Sequence, residues 1–281
     1  MDVITTPAHM REWSRERRAA GDRIGVVPTM GALHRGHLAL VDAVRTRANV
    51  VVVTIFVNPL QFNQSTDFDR YPRPIDDDLD ICRRSGVAAV YAPTAAVMYP
   101  PGFQTHVEPG ELADGLEGPV RPGHFRGVTT VVTKLFNATL PDVAAFGQKD
   151  FQQLAIVRRT VRDLDLAIEV LGVPIVREAD GLALSSRNVR LTPDDRAAAL
   201  VVSRSLRAAS EAFAAGEREA AELRSIVLDG ITAEPRASVE YVEVVDAMTL
   251  RPVERAEPPS CVLTAAWFGD VRLIDNVLLD R

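Results

Sequence analysis

Four short stretches of this 281-residue chain combine residue types suited to phosphate and to small polar ligands. The first is Pro28-Thr29-Met30-Gly31-Ala32-Leu33-His34-Arg35-Gly36-His37, with two histidines three residues apart. At the start of a helix, that spacing lets both rings face the same anion. The glycines mark a sharp turn whose backbone approaches something closely. A helix beginning there aims unpaired N–H groups and the positive end of its dipole into the turn. The second stretch, Gly147-Gln148-Lys149-Asp150, repeats this logic, with a compact ammonium suited to phosphate and Gln153 one turn further on. Asp150 either caps the helix or accepts hydrogen bonds from a ribose. The third, Asn58-Pro59-Leu60-Gln61-Phe62, carries two neutral amides, and position alone leaves them open between turn chemistry and ligand contact. The fourth, Ser185-Ser186-Arg187-Asn188, offers hydroxyl, backbone and guanidinium donors to a polyphosphate, although ordinary loops carry such strings too.

The elements around these stretches read as an α/β chain. Ile24 to Val27 is a compact, β-branched run closed by proline, hence a buried strand. Apolar residues at helical spacing run from His37 to about Ala48, and Val50 to Val57 follows as a buried parallel strand. Asn58 to Phe62 leaves the carboxyl end of that strand, the edge where open α/β sheets bind ligands. A helix over Pro7 to Ala20, an acidic helix over Ile75 to Ser85 and a strand over Val87 to Ala92 are expected. The long Pro- and Gly-rich excursion from Pro93 to Gly127 reads as a lid or wall with a short strand at Thr105 to Val107. There Arg121 and Arg126 either face an anion or pair with acidic neighbours.

A helix over Val128 to Asn137 and a strand over Val143 to Phe146 lead into the lysine-bearing turn, and a further helix reaches Asp163. Strands at Ile168 to Val170 and Val173 to Val176 close this part. Thr192-Pro193-Asp194-Asp195 has the hydroxyl cap, proline and capping-box acid of a helix start. Helices to about Ala215 and over Glu217 to Ile231 are followed by strands at Val239 to Val245, Cys261 to Trp267 and Val271 to Leu279. The expectation is a Rossmann-like parallel-sheet nucleotide-binding domain over 1–175 and a smaller α+β domain over 176–281.

Composition narrows the function. With 47% apolar and 25% charged residues, the chain has the make-up of a globular protein. A net charge of −6 argues against a dedicated nucleic-acid surface. The longest apolar run is too short to cross a bilayer, and the N-terminus lacks a signal-peptide core, so a cytoplasmic location is expected. Cys82 and Cys261 lie too far apart in the chain to suggest a disulfide framework or zinc site. Among 32 basic residues only Lys134 and Lys149 are lysines, a hint that arginine would not serve at those places. The acidic run Asp76, Asp77, Asp78 and Asp80 is open between a solvated helix face and magnesium ligation.

Taken together, the His34-x-x-His37 turn, Asn58-Pro59-Leu60-Gln61-Phe62, Gly147-Gln148-Lys149-Asp150 with Gln153, and Ser185-Ser186-Arg187-Asn188 resemble the pantothenate synthetase family, within the HxGH nucleotidyltransferase superfamily. The resemblance runs from Val26 to Val202. It implies an enzyme joining pantoate to β-alanine through a pantoyl-adenylate, at the expense of ATP with Mg2+, and releasing AMP and pyrophosphate. It further implies a homodimer whose second domain closes over the active site. By carry-over, His34, His37 and Lys149 are catalytic. Met30, Gly31, Ala32, Leu33, Arg35 and Gly36 contact the nucleotide, and Lys149, Ser185, Ser186 and Arg187 cradle the leaving pyrophosphate. Gly147 and Asp150 bind the ribose, Val176 the adenine, and Gln148 and Leu184 belong to the ATP set. Gln61 and Gln153 bind pantoate, Gln61 also β-alanine, and magnesium is held mainly by the ATP phosphates. Two departures are present: Leu184 stands where methionine is usual, and Asn63 where glycine is usual. A cytidylyl- or adenylyltransferase of the same superfamily and a nucleotide-binding sensor without turnover are the rival expectations.

Overall fold

The computed structural model describes residues 1–62, 68–69 and 71–280, in two compact units. Asn63 lies outside the described residues.

The first unit comprises Met1–Gln148 and Ile156–Pro174. Its centre is a six-stranded sheet of β1 (Asp2–Ile4), β2 (Ile24–Thr29), β3 (Val50–Ile55), β4 (Ala89–Tyr91), β5 (Val143–Gly147) and β6 (Glu169–Val173). The order is β1-β4-β3-β2-β5-β6 and every pairing is parallel. Parallel strands covered on both faces need continuous apolar runs, and β3 buries all of Val50 to Thr54. The crossovers carry α1 (Pro7–Ala19), α2 (Arg35–Arg45), α3 (Ile75–Arg84), α4 (Ala95–Met98), α5 (Glu117–Val120), α6 (His124–Thr139) and α7 (Phe151–Asp163). The chain moves outward from β2 through β3 to β4, then returns to β5 on the other side of β2. The carboxyl ends of β2 and β5 therefore flank the switch point of the sheet, where this class of fold binds ligands. The Met30 turn leaves one of those ends and the Gly147 turn the other.

The second unit comprises Lys149–Ala155 and Ile175–Arg281. An antiparallel sheet of β7 (Ala237–Asp246), β8 (Ser260–Phe268) and β9 (Val271–Leu279) packs against α8 (Pro193–Ala214) and α9 (Ala220–Thr232). Leu206, Phe213, Leu223, Ile231 and Phe268 form the centre of that core. Thr192 caps α8 by accepting the Asp195 N–H at 3.2 Å, with proline at the first position, as its spacing predicts.

Several expectations are corrected. Thr105 to Val107 is not a strand, because helix side chains take its backbone groups: Val107 N–H donates to Thr130 Oγ1 at 3.0 Å, and Thr129 Oγ1 donates to Val107 O at 2.5 Å. The two short strands expected around Gly172 are one strand, β6, which ends at Val173. β1, too short to show periodicity, was not expected at all. Helix α2 starts at Arg35 rather than His37, and α6 starts at His124 rather than Val128. The main break falls after Pro174, and Lys149–Ala155, expected within the first domain, cluster with the second unit.

Candidate active site

The histidine turn is assembled entirely within the first unit. Gly31 and Ala32 both adopt left-handed backbone, with φ of 84° and 52°. Such consecutive angles suit glycine and cost a residue with a side chain, so neighbouring contacts must enforce them. On one side the Gly31 N–H donates to Thr29 Oγ1 at 3.1 Å, whose hydroxyl in turn donates to Thr54 O at 2.7 Å. On the other, Ala32 N–H donates to Asp78 Oδ2 at 2.9 Å and Leu33 N–H to Asp78 Oδ1 at 2.7 Å. Both amides are therefore held by a carboxylate of the protein itself. Burial pushes the Asp78 carboxyl above the usual carboxylate range, against the two N–H groups that favour its charge.

Beyond the turn, His34 is the N-cap of α2 and His37 its third residue, and the two form an imidazole version of a capping box. Gly36 N–H donates to His34 Nδ1 at 3.1 Å, and His34 N–H donates to His37 Nδ1 at 3.2 Å. With each Nδ1 accepting from backbone, the proton of each neutral ring sits on Nε2. The ring centroids are 4.2 Å apart. A single helix start thus fixes the tautomer and spacing of two N–H donors. Arg35 between them is exposed.

The amide pair lies in the same unit, and the structure separates its members. Asn58 is 1% exposed and fully committed. Its Nδ2 donates to Gln61 Oε1 and to Gly127 O, both at 3.0 Å, and its Oδ1 accepts from Tyr99 Oη at 2.7 Å and Leu60 N at 3.3 Å. It is a positioning residue rather than a ligand. Gln61 is held by Asn58 through Oε1 and approaches Met30 Sδ through Nε2 at 3.1 Å. The main chain of Gln61 is clamped as well, since its carbonyl accepts from His124 Nδ1 at 2.8 Å and Arg121 Nη2 at 3.3 Å. Because a carbonyl only accepts, the His124 proton sits on Nδ1, and Nε2 accepts from Arg121 Nη1 at 3.3 Å. Arg126 pairs with Glu108 at 3.2 Å. Arg121 thus braces Gln61, and Arg126 meets an acid.

In the second unit the phosphate-binding candidates hang on β9. Asp275 grips Arg177 through two bonds, at 2.6 and 3.0 Å, and is 5% exposed. Arg177 also donates to Gly181 O at 3.2 Å, which shapes the loop running from Val176 to Leu184. Leu184 N–H donates to Val176 O at 2.9 Å, so these two ATP candidates are tied to one another through backbone. Next to Asp275, Asn276 donates from Nδ2 to Lys149 O at 3.0 Å. Lys149 lies in the tight turn Gln148–Asp150, where Asp150 is exposed and Gln153 half-buried on the first turn of α7. Ser185 caps the turn Ser186–Arg190 by accepting the Arg187 N–H at 3.2 Å, and Ser186 and Arg187 are half-buried beside it. Asn188 braces the turn by donating to Glu178 Oε1 at 3.2 Å and Ala183 O at 3.0 Å.

Asp78, Asn58 as a brace, His124, Arg177, Asp275 and Asn276 were missed by sequence reasoning. Two left a signal. Asp78 shares the buried face of α3 with Cys82, and Asp275-Asn276 is a buried polar pair in a strand whose sequence is mostly apolar. Among the described residues no group of three His, Cys, Asp or Glu side chains is placed to hold a metal ion. Asp76, Asp77 and Asp80 are exposed, while Asp78 faces backbone amides. No helix among the described residues is long and apolar enough to cross a membrane.

Comparison with known proteins follows the same lines. The model of the pantoate–β-alanine ligase family matches residues 2–278. The chain is 52% identical over 280 residues to a pantothenate synthetase of Heliobacterium modesticaldum, covering all of both chains. It is 50% identical over 281 residues to one of Pelotomaculum thermopropionicum, again over the whole of both. A crystal structure of pantothenate synthetase from Thermus thermophilus matches with a TM-score of 0.93 at 44% identity over the full length of each. The pantoate–β-alanine ligase of Francisella tularensis, complexed with β-γ ATP and β-alanine, matches with a TM-score of 0.79 at 32% identity, covering 99% of this chain and 98% of its own.

Proposed function

Because this chain belongs to the pantoate–β-alanine ligase family and is an enzyme of pantothenate formation, we propose that it works through a pantoyl-adenylate and releases AMP and pyrophosphate. A pantoate carboxylate oxygen attacks the α-phosphorus of ATP. The new P–O bond forms as the bond to the bridging oxygen breaks, and pyrophosphate leaves with the electron pair. Negative charge grows on the transferring and leaving phosphates, so catalysis is chiefly positioning and electrostatic stabilisation.

The observation that carries this reading is the paired cap at the carboxyl end of β2. Two imidazoles with Nε2 protons, fixed by backbone donors to Nδ1, suit developing phosphate charge. In this reading His34 and His37 hold phosphates, with His37 stabilising the leaving charge. Lys149, Ser185, Ser186 and Arg187 serve the leaving pyrophosphate, and Met30, Gly31, Ala32, Leu33, Arg35, Gly36, Gln148 and Leu184 line the nucleotide. Gly147 and Asp150 serve the ribose and Val176 the adenine. Magnesium arrives on the ATP phosphates as part of the substrate complex.

Gln61 and Gln153 serve as the pantoate ligands, and their neutrality has a physical reason. A fixed cation would hold the ground-state carboxylate too firmly and blunt its attack. Gln61 also meets β-alanine, whose deprotonated amine attacks the acyl carbon, forming the C–N bond as AMP departs. A homodimer and a cytoplasmic location belong to the same reading.

Isotope exchange between pyrophosphate and ATP, with pantoate present and β-alanine absent, tests it. Exchange that depends on pantoate establishes a reversible adenylate. Folded, ATP-binding protein without exchange overturns the adenylate route.

A further inference from the structure

We propose that Asp78 is a positioning residue for the histidine pair, clamping the left-handed Gly31–Ala32 turn that delivers His34 and His37 to the start of α2. The inference rests on the reading above for what the histidines do, and on geometry for what Asp78 does.

Two successive amides in a left-handed turn form a small concavity that attracts an anion. Here the anion is internal: each oxygen of one carboxylate accepts one of those amides, Ala32 at 2.9 Å and Leu33 at 2.7 Å. Asp78 is 1% exposed, so both bonds are shielded from water. The fit is close. A Cβ added at Gly31 would lie 2.8 Å from Asp78 Oδ2 and 3.1 Å from Ile55 Cγ2, so carboxylate and turn are shaped to each other. Ala32 sits at φ 52° although it is not glycine, and the carboxylate is the contact that holds its amide there.

Only an ionised or equivalent two-acceptor group does this. An amide in its place would satisfy one N–H and turn its own NH2 against the other. The chain from Leu33 to the cap residue His34 is a single peptide, so a shift at Leu33 passes directly to the imidazoles. The remaining acids of the run, Asp76, Asp77 and Asp80, are exposed, which separates Asp78 from the solvated face.

The test compares Asp78→Asn with Asp77→Asn, a control carrying the same charge change on the exposed side of α3. The readouts are thermal unfolding, the kcat of pantoate-dependent pyrophosphate–ATP exchange, the KM values for ATP and pantoate, and the imidazole nitrogen signals of His34 and His37. Asp78→Asn is expected to lower the exchange kcat by about 10- to 100-fold, the range for misplaced catalytic groups, and to shift the imidazole signals. The pantoate KM changes much less than the exchange kcat, because Asn58 and His124 hold Gln61 in addition to its contact with Met30 beside the turn. Asp77→Asn leaves all four readouts unchanged. A folded Asp78→Asn protein with unaltered kcat and imidazole signals overturns the proposal, as does a parallel loss in every parameter, including the pantoate KM.

Should Asp78→Asn fail to fold, amide exchange in the unaltered protein decides: protected Ala32 and Leu33 amides support the clamp, and rapid exchange overturns it. Absence of pantoate-dependent exchange in the unaltered protein would instead refute the adenylate reading alone. ATP affinity by calorimetry together with the imidazole signals would then judge Asp78 separately, unchanged values in Asp78→Asn counting against it.

Discussion

Replacing Gly127 by alanine tests how Gln61, the proposed pantoate ligand, is held. Gly127 lies in the first turns of α6, where the helix backbone meets the Pro59–Gln61 turn. An added Cβ would stand 2.3 Å from Leu60 O, 2.5 Å from Leu60 C and 2.8 Å from Gln61 N. All three are backbone atoms, so no side chain can swing away. The first contact is about 1 Å short of the ~3.3 Å at which carbon normally meets a carbonyl oxygen. Helix and turn must separate by a comparable amount. Two bonds span that gap, Asn58 Nδ2 to Gly127 O at 3.0 Å and His124 Nδ1 to Gln61 O at 2.8 Å, and neither survives such a displacement in good geometry.

Overpacking costs about 1–3 kcal/mol, and each buried polar group left without its partner about 1–3 kcal/mol more. Alanine returns about 1 kcal/mol through helix propensity. The net expectation is a loss of roughly 2–8 kcal/mol, reaching the severe end for one substitution. Chemical denaturation measures this, and exchange kinetics on the surviving folded fraction report the site. Pantoate KM is expected to rise at least tenfold, while ATP KM changes little because the histidine turn is braced elsewhere. A Gly127→Ala protein as stable as its parent, with unchanged pantoate KM, would refute the account of Gln61 positioning.

Other substitutions probe the phosphate groups. His37→Ala should raise the adenylation barrier by about 2–4 kcal/mol, the range for losing one preorganised donor, read as the single-turnover rate of adenylate formation. An unchanged rate in folded protein would remove His37 from that role. Lys149→Arg should cut the exchange kcat despite keeping the charge, since a planar fork replaces a compact ammonium, and full activity would show that lysine is not specifically needed. Asn276→Ala removes the bond to Lys149 O and should weaken ATP binding by about tenfold, equal to roughly 1.4 kcal/mol, measured by calorimetry. ATP affinity equal to that of the parent would show that β9 does not position the lysine.

Much of the local geometry was legible because it depends on local pattern. A β-branched run, a glycine turn and His34-x-x-His37 lie within a few residues of one another, and strand, turn and helix cap are local events. The same holds for Thr192 and α8. Boundaries shifted where a cap or a pairing partner, rather than periodicity, set the end of an element. His34 thus became the cap outside α2, and Thr105 to Val107 lost its strand to helix hydroxyls.

What the amino-acid order alone determined is the set of reactive groups and the local geometry that presents them: two imidazoles at one helix start, a lysine after a glycine-ended strand, amides beyond a buried strand, hydroxyls beside an arginine. What only tertiary structure decided is which groups are held and by what. Asp78 resembles its acidic neighbours in sequence and differs only because one face of α3 turns it toward Ala32 and Leu33. Asn58 and Gln61 read as equals until Tyr99, 41 residues away, and Gly127, 69 residues away, claim the first and leave the second poised. Hydrogen bonds between distant residues form only after the chain has closed large loops, and residue spacing carries no record of which partners that closure brings together.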